Sequence, residues 1–139
     1  MSLLNIPEDI NFLIVDDVAS IRTLVRGELV ALGFKGKIVE AENGYLAFNY
    51  LDTSFNTPNK IDYIISDLVM PVMTGHHLLE EVRGDERFKE LPFLMLTTES
   101  EKELVVQSIK LGVSNFLLKP FISPDFQKKL KQCWLKHHK

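Results

Sequence analysis

The sequence predicts an α/β fold built on a parallel sheet. Two observations lead there. Short apolar runs recur along the chain, among them Phe12-Leu13-Ile14-Val15, Phe93-Leu94-Met95-Leu96 and Phe116-Leu117-Leu118. Bounded by turn signals, such runs read as buried strands. Segments with apolar residues at helical spacing separate them, the alternation expected of βα units.

The elements follow in order. Strand one covers about Asn11 to Val15. Helix one has Ser20 near its start, turns Ile21, Leu24, Val25, Leu29 and Leu32 to one face, and stops at Gly33. Strand two is short, about Lys37 to Ala41, and helix two runs from Tyr45 to about Leu51. Asp52 to Lys60 is rich in Thr, Ser, Asn and Pro and reads as a surface loop. Strand three, from the run Ile61-Asp62-Tyr63-Ile64-Ile65-Ser66, ends at Asp67. Helix three begins near Gly75 and uses Leu78, Leu79 and Val82. Strand four is Phe93 to Leu96. Helix four spans about Glu101 to Leu111 and stops at Gly112. Strand five covers about Asn115 to Leu118. In helix five, Ser123 is the expected N-cap with Pro124 at the first helical position. Its inward face is Phe126, Leu130, Cys133 and Trp134. Right-handed crossovers then place helices on both faces of a five-stranded sheet.

The bulk properties fit one domain. The chain has 139 residues, enough for a substantial core, with 45% hydrophobic and 25% charged residues. A single domain over 1–139 is expected, with its core at about 11–135 and no output domain following. A net charge of −3 gives no nucleic-acid footprint. One cysteine, Cys133, excludes an internal disulfide. No apolar stretch approaches a membrane span and no signal peptide is evident. A cytoplasmic monomer is the expectation.

The chemistry concentrates at strand ends. Asp16-Asp17 follows strand one, Asp67 ends strand three, Thr97-Thr98 follows strand four and Lys119-Pro120 follows strand five. Open α/β sheets bind ligands outside the carboxyl ends of their strands. Acids, a hydroxyl and a lysine gathered there suggest a site for a divalent metal and a phosphoryl group. Clustered carboxylates repel: two charges about 4 Å apart cost about 1 kcal/mol in water and about 4 at an effective dielectric of 20. Such a cluster binds a cation or raises a pKa.

These residues together resemble the receiver domain of two-component response regulators. The resemblance rests on Asp16-Asp17, Asp67-x-x-Met70-Pro71-x-x-x-Gly75, Thr97, Phe116 and Lys119-Pro120-Phe121, and it covers about Asn11 to Trp134. Within the family the chain looks most like single-domain, chemotaxis-type regulators. The resemblance implies a doubly wound, flavodoxin-like (βα)5 sheet with strand order 2-1-3-4-5, chemotaxis regulators being a standard illustration of that order. It makes Asp67 the phospho-acceptor, a carboxylate nucleophile that forms an aspartyl phosphate. Asp16, Asp17, Asp67 and the backbone carbonyl of Val69 would hold Mg²⁺, a hard cation that takes carboxylates and phosphate oxygens. Lys119 and Thr97 would bind the phosphoryl oxygens, and the Lys119–Pro120 bond would be cis. Thr97 and Phe116 would form the switch. A histidine kinase or phosphotransfer protein would be the donor. The surface of helix four, strand five and helix five would engage a downstream protein, with no nucleic acid or membrane involved. The domain would assist its own phosphorylation and dephosphorylation without being an enzyme for other substrates.

Some residues depart from the family's habit. Phe116 has no hydroxyl, so its ring is expected to favour the inward position even without phosphate. Val69 offers no polar side chain, and Thr98 narrows access to Asp67. Glu99 does fit the chemotaxis type. Other readings are a phosphorelay intermediate or phosphate sink, a phosphohydrolase of the haloacid-dehalogenase type, and a pseudo-receiver that only binds partners. The hydrolase nucleophile usually follows the first strand in an Asp-x-Asp pattern, whereas Asp67 follows the third and has Val69, not an acid, two residues on. His76-His77 is expected to be exposed and polar. Cys133 and Trp134 are expected to pack in the core. Lys128, Lys129 and Lys131 give helix five a basic face.

Overall fold

The computed structural model describes residues 4–70, 72–98 and 102–138. Met1-Ser2-Leu3, Pro71 after the Asp67 strand, Glu99, Glu101 at the expected start of helix four, and Lys139 lie outside the described residues. The elements are β1 Phe12–Val15, α1 Ala19–Ala31, β2 Ile38–Ala41, α2 Gly44–Ser54, β3 Tyr63–Asp67, α3 Gly75–Arg83, β4 Phe93–Thr97, α4 Lys102–Lys110, β5 Asn115–Leu118 and α5 Ser123–His137. All strands are parallel, in the order β2-β1-β3-β4-β5. This is the doubly wound sheet that the sequence predicts. Among the described residues, no helix is long and apolar enough to cross a membrane.

The sheet separates two cores because strand side chains alternate between faces. Phe12, Ile14, Tyr63, Ile65, Leu94 and Leu96 point to the face covered by α1 and α5, where they meet Val25, Leu29, Phe126, Leu130, Cys133 and Trp134. Leu13, Val15, Ile64, Phe93 and Met95 point the other way, against Ala47 and Leu51 of α2 and Leu78, Leu79 and Val82 of α3. Each fully buried side chain of this size contributes about 1.5–3 kcal/mol. Among the described residues, α4 has only Ser108 fully buried, while its Leu104, Val106 and Ile109 are exposed.

Several details differ from the sequence reading. Leu24 of α1 is 48% exposed rather than inward, because it lines an open cleft with Thr98, Pro120 and Phe121 instead of joining the core. Helix two begins at Gly44, capped by Asn43, whose Oδ1 accepts from the Leu46 N–H at 2.8 Å, and it extends through Ser54 into the expected loop. Ser123 is not the N-cap of α5: Ile122 occupies that position without a side-chain hydrogen bond. The Ser123 hydroxyl instead donates to the Glu28 carboxylate of α1, 2.8 Å from Oε2, and so links the two helices of one face. His77 is exposed, but His76 is half-buried, with a buried Nε2 that has no hydrogen-bond partner among the described residues. Gly33 and Gly112 end α1 and α4 at φ of 93° and 90°, the left-handed conformation that favours glycine.

Candidate functional site

Sheet register brings the predicted residues to one edge. Asp67 pairs with Leu96, one residue before Thr97, and Thr97 pairs with Leu118, one residue before Lys119. Val15 pairs with Ser66, which sets Asp16 beside Asp67. The Lys119 N–H donates to the Thr97 carbonyl at 2.6 Å, continuing the β4–β5 ladder into the site. The Lys119–Pro120 peptide bond is cis.

Asp16, Asp17 and Asp67 converge, each offering one carboxylate oxygen within 4.8 Å of the others. Asp67 is 5% exposed; its Oδ1 accepts from Lys119 Nζ and from the Leu68 N–H, both at 2.9 Å. Lys119 Nζ also lies 3.9 Å from Asp16 Oδ2. Thr97 is 1% exposed, and its hydroxyl donates to the Thr98 carbonyl at 3.3 Å. The Asp67 carboxylate therefore sits against a cation and a backbone N–H, with a buried hydroxyl on the neighbouring strand.

Asp16 is fully buried. Its Oδ1 accepts from the Val18 N–H at 2.9 Å, while Oδ2 is buried without a hydrogen-bond partner among the described residues. Burial is the main reason its carboxyl is pushed up from the ordinary 3.8 to about 6. The Val18 N–H and Lys119 pull it back, and the charges of Asp67 and Asp17 push it further. A buried carboxylate oxygen without a hydrogen bond, beside two more carboxylates, is costly unless a cation completes it. All donors are hard oxygens, the kind that Mg²⁺ accepts. The residues present thus fit such a cation.

The β3–α3 turn fixes Asp67 from below. The Gly75 N–H donates to the Leu68 carbonyl at 2.9 Å, and a Cβ at Gly75 would stand 2.0 Å from the Asp67 carbonyl oxygen. Only glycine allows that approach. Thr74 caps α3 by accepting from the His77 N–H at 3.1 Å. Between them, Val69 is 46% exposed, and Val72 is 82% exposed at a φ of 70°. Phe116 is half-buried and packs on the core beneath α3 and α4. Thr98 lines a mostly apolar cleft of about 270 Å³ with Ile21, Leu24, Lys119, Pro120 and Phe121.

The sequence reading missed Arg22 and Glu40. Arg22 Nη1 donates to the Asp16 carbonyl at 2.6 Å, and its Nε donates to Glu40 Oε1 at 3.0 Å. Burial of Glu40 acts to raise its pKa, but hydrogen bonds from Arg26 and Arg22 outweigh that and hold it below the usual range. A basic residue within the first turn or so of the helix after paired acids was the available signal. It is weak, since Arg is common on solvated helix faces.

Comparison with known proteins agrees with this geometry. The model of the response regulator receiver domain matches residues 12–131. The chemotaxis protein CheY1 of Helicobacter pylori is 39% identical over 119 residues, covering 86% of this chain and 92% of that protein. The chemotaxis protein CheY of Pseudomonas aeruginosa is 34% identical over 122 residues, covering 88% and 94%. Among solved structures, the chemotaxis response regulator CheY4 of Vibrio cholerae superposes with a TM-score of 0.78 at 34% identity, covering 90% of this chain and 98% of that one. With an aspartate at the end of β3, paired acids after β1 and a lysine after β5 at one sheet edge, the chain belongs to the response regulator receiver domains and is similar to chemotaxis regulators.

Proposed function

We propose that Asp67 accepts a phosphoryl group from the phosphohistidine of a histidine kinase or phosphotransfer protein, and that the modified domain signals to another protein. The observation that carries this reading is the single Asp67 carboxylate held by Lys119 at 2.9 Å inside a three-aspartate cluster. In the transfer, an Asp67 oxygen forms the new O–P bond. The P–N bond of phosphohistidine breaks, and its electron pair stays on the imidazole nitrogen, which takes up a proton. Asp16, Asp17, Asp67 and the Val69 carbonyl would hold Mg²⁺, which when bound neutralises charge on the phosphoryl oxygens. Lys119 follows the phosphoryl oxygens from its place against the unmodified carboxylate. The Thr97 hydroxyl donates to a phosphoryl oxygen, a contact that exists only after transfer. The domain's contribution is positioning and charge.

Output would pass through α4, β5 and α5, where Leu104, Val106, Ile109 and Leu118 are exposed. Phosphorylation would shift a pre-existing balance on that face, with Phe116 at its inner side. Chemotaxis-type signalling is the favoured role, given the relatives' names.

The test is labelling. Incubation with acetyl phosphate and Mg²⁺ should add one phosphoryl mass to the intact protein. Chelation should suppress the addition, and Asp67→Asn should abolish it. Undiminished labelling of Asp67→Asn would remove Asp67 from this role.

A further inference from the structure

We infer that Arg22 is a positioning residue for the acidic turn, and that it presents Asp16 and Asp17 to a divalent cation. The inference rests on reading Asp16, Asp17 and Asp67 as a cation site.

Asp16 is restrained at three points. Its N–H donates to the Ala41 carbonyl of β2 at 3.1 Å. Its Oδ1 accepts from the Val18 N–H at 2.9 Å. Its carbonyl accepts from Arg22 Nη1 at 2.6 Å. The first two fix the strand end and the side chain. The third fixes the peptide plane between Asp16 and Asp17, and therefore the direction in which Asp17 leaves the backbone. Asp17 is exposed and makes no side-chain hydrogen bond among the described residues, so its aim depends on that plane.

Arg22 is itself held. Its side chain is 18% exposed, and Glu40 accepts from its Nε on the side away from the turn. The second Glu40 oxygen accepts from Arg26 Nε at 2.9 Å, and Arg26 Nη2 donates to the Ile38 carbonyl of β2 at 2.7 Å. A planar fork between an anion and a carbonyl has little freedom left. A hydrogen bond from a charged donor at this length is about twice as strong as a neutral one. No side chain caps α1, whose N-cap is Val18, so the turn leans on Arg22 instead.

Charge and position predict opposite effects, which makes the idea testable. As a cation near the acidic turn, Arg22 repels Mg²⁺, so removing its charge should tighten metal binding on Coulomb grounds alone. As a positioning residue, its removal should loosen binding. A purely structural tie between α1 and β2 would lower stability and leave the metal affinity of the folded protein unchanged.

The experiment titrates MgCl2 into the full chain without any phosphodonor, following the Asp17 and Val18 amide shifts by NMR, with a urea midpoint for each variant. Arg22→Met should weaken Mg²⁺ binding about 10-fold, the usual scale for losing a residue that orients a metal ligand. Arg22→Lys should recover part of the affinity, since an ammonium cannot serve both partners with the same geometry. It also carries the test should Arg22→Met not fold. Arg26→Met removes a charge of the same sign but reaches the turn only through Glu40, so its loss of Mg²⁺ affinity should be smaller than that of Arg22→Met. Mg²⁺ binding by Arg22→Met that equals or exceeds wild type would overturn the inference. So would a loss in Arg26→Met as large as that in Arg22→Met. A wild-type protein that binds no Mg²⁺ would instead overturn the cation site on which the inference rests.

Discussion

The ammonium of Lys119 and the carboxylate of Asp67 are 52 residues apart in sequence and 2.9 Å apart in space. The cation thus stands against Asp67, and the Lys119 N–H on the Thr97 carbonyl ties the backbone from which it projects to β4. Lys119→Ala should leave the fold largely intact and permit residual labelling of Asp67. It should weaken the link between the site and the distal surface, because the charge that anchors a phosphoryl oxygen is gone. Beryllofluoride-induced NMR shifts around Phe116 measure this; a variant shifting as fully as wild type would contradict it.

The raised pKa of Asp16 ties stability to pH. Its folded-state pKa of about 6 lies above the ordinary 3.8, so between those values the folded chain holds more protons than the unfolded one. The stability from this group is full below about 4 and is lost as pH rises through about 6. In the metal-free protein, urea midpoints should therefore gain a contribution from Asp16 as pH is lowered from about 7 to about 5. Saturating Mg²⁺ should reverse that trend, since metal and proton compete for the same carboxylate. Asp16→Asn should abolish the metal-free trend and stabilise the protein at neutral pH by an amount of order 1 kcal/mol. An unchanged slope in Asp16→Asn would assign the titration to another group.

Gly75 bears on Asp67 through the backbone. A methyl group there would meet the Asp67 carbonyl at 2.0 Å, so the β3–α3 turn must open to admit it. Gly75→Ala should cost about 2 kcal/mol or more, the scale of overpacking a tight interior contact. It should also slow acetyl phosphate labelling of the fraction that remains folded. Wild-type stability and rate together would show that the turn yields without moving Asp67.

Val72 stores strain. A β-branched residue at a φ of 70° is an outlier, and at 82% exposure its side chain gains little from packing. Left-handed backbone costs roughly 1–2 kcal/mol for residues with a Cβ, less for asparagine. Val72→Asn should raise the urea midpoint by the equivalent of about 1 kcal/mol. A midpoint that falls would mean the valine side chain has a stabilising contact that its exposure hides.

Phe116 already packs on the core beneath α3 and α4 while remaining half-buried. Without a hydroxyl to satisfy in water, the ring gains from burial in either phosphorylation state. Binding to the downstream partner should then show an appreciable basal level. Phe116→Tyr should lower that level by favouring the outward position. Affinity for the partner with and without beryllofluoride is the measurement, and equal basal binding by both proteins would refute the idea.

The strands and their chemistry were legible in the sequence for physical reasons. Phe12–Val15 is wholly apolar and buried at every position, and Phe93–Thr97 is buried throughout with Thr97 as its first polar residue. That is why Asp16 and Thr97 stood out as polar residues at apolar ends. The helix details were less legible. Ser123 has the right residue type for a cap, but a carboxylate on α1 takes its hydroxyl. Leu24 obeys the helical period yet lines an open cleft, and period alone says nothing about what covers a position. Arg22 works through a backbone carbonyl and a strand partner 18 residues away, and neither contact leaves a local pattern.

The shallow seating of α4 separates the choice of partner from the act of folding. Exposed Val106 and Ile109 do little for the core, so exchanging them should move stability by no more than about 0.5 kcal/mol each. Phe126, Leu130 and Cys133 on α5 are fully buried and have no such latitude. Descendants of this chain could therefore acquire new binding specificities by redrawing one helix surface, while the sheet edge that carries Asp67 stays as it is.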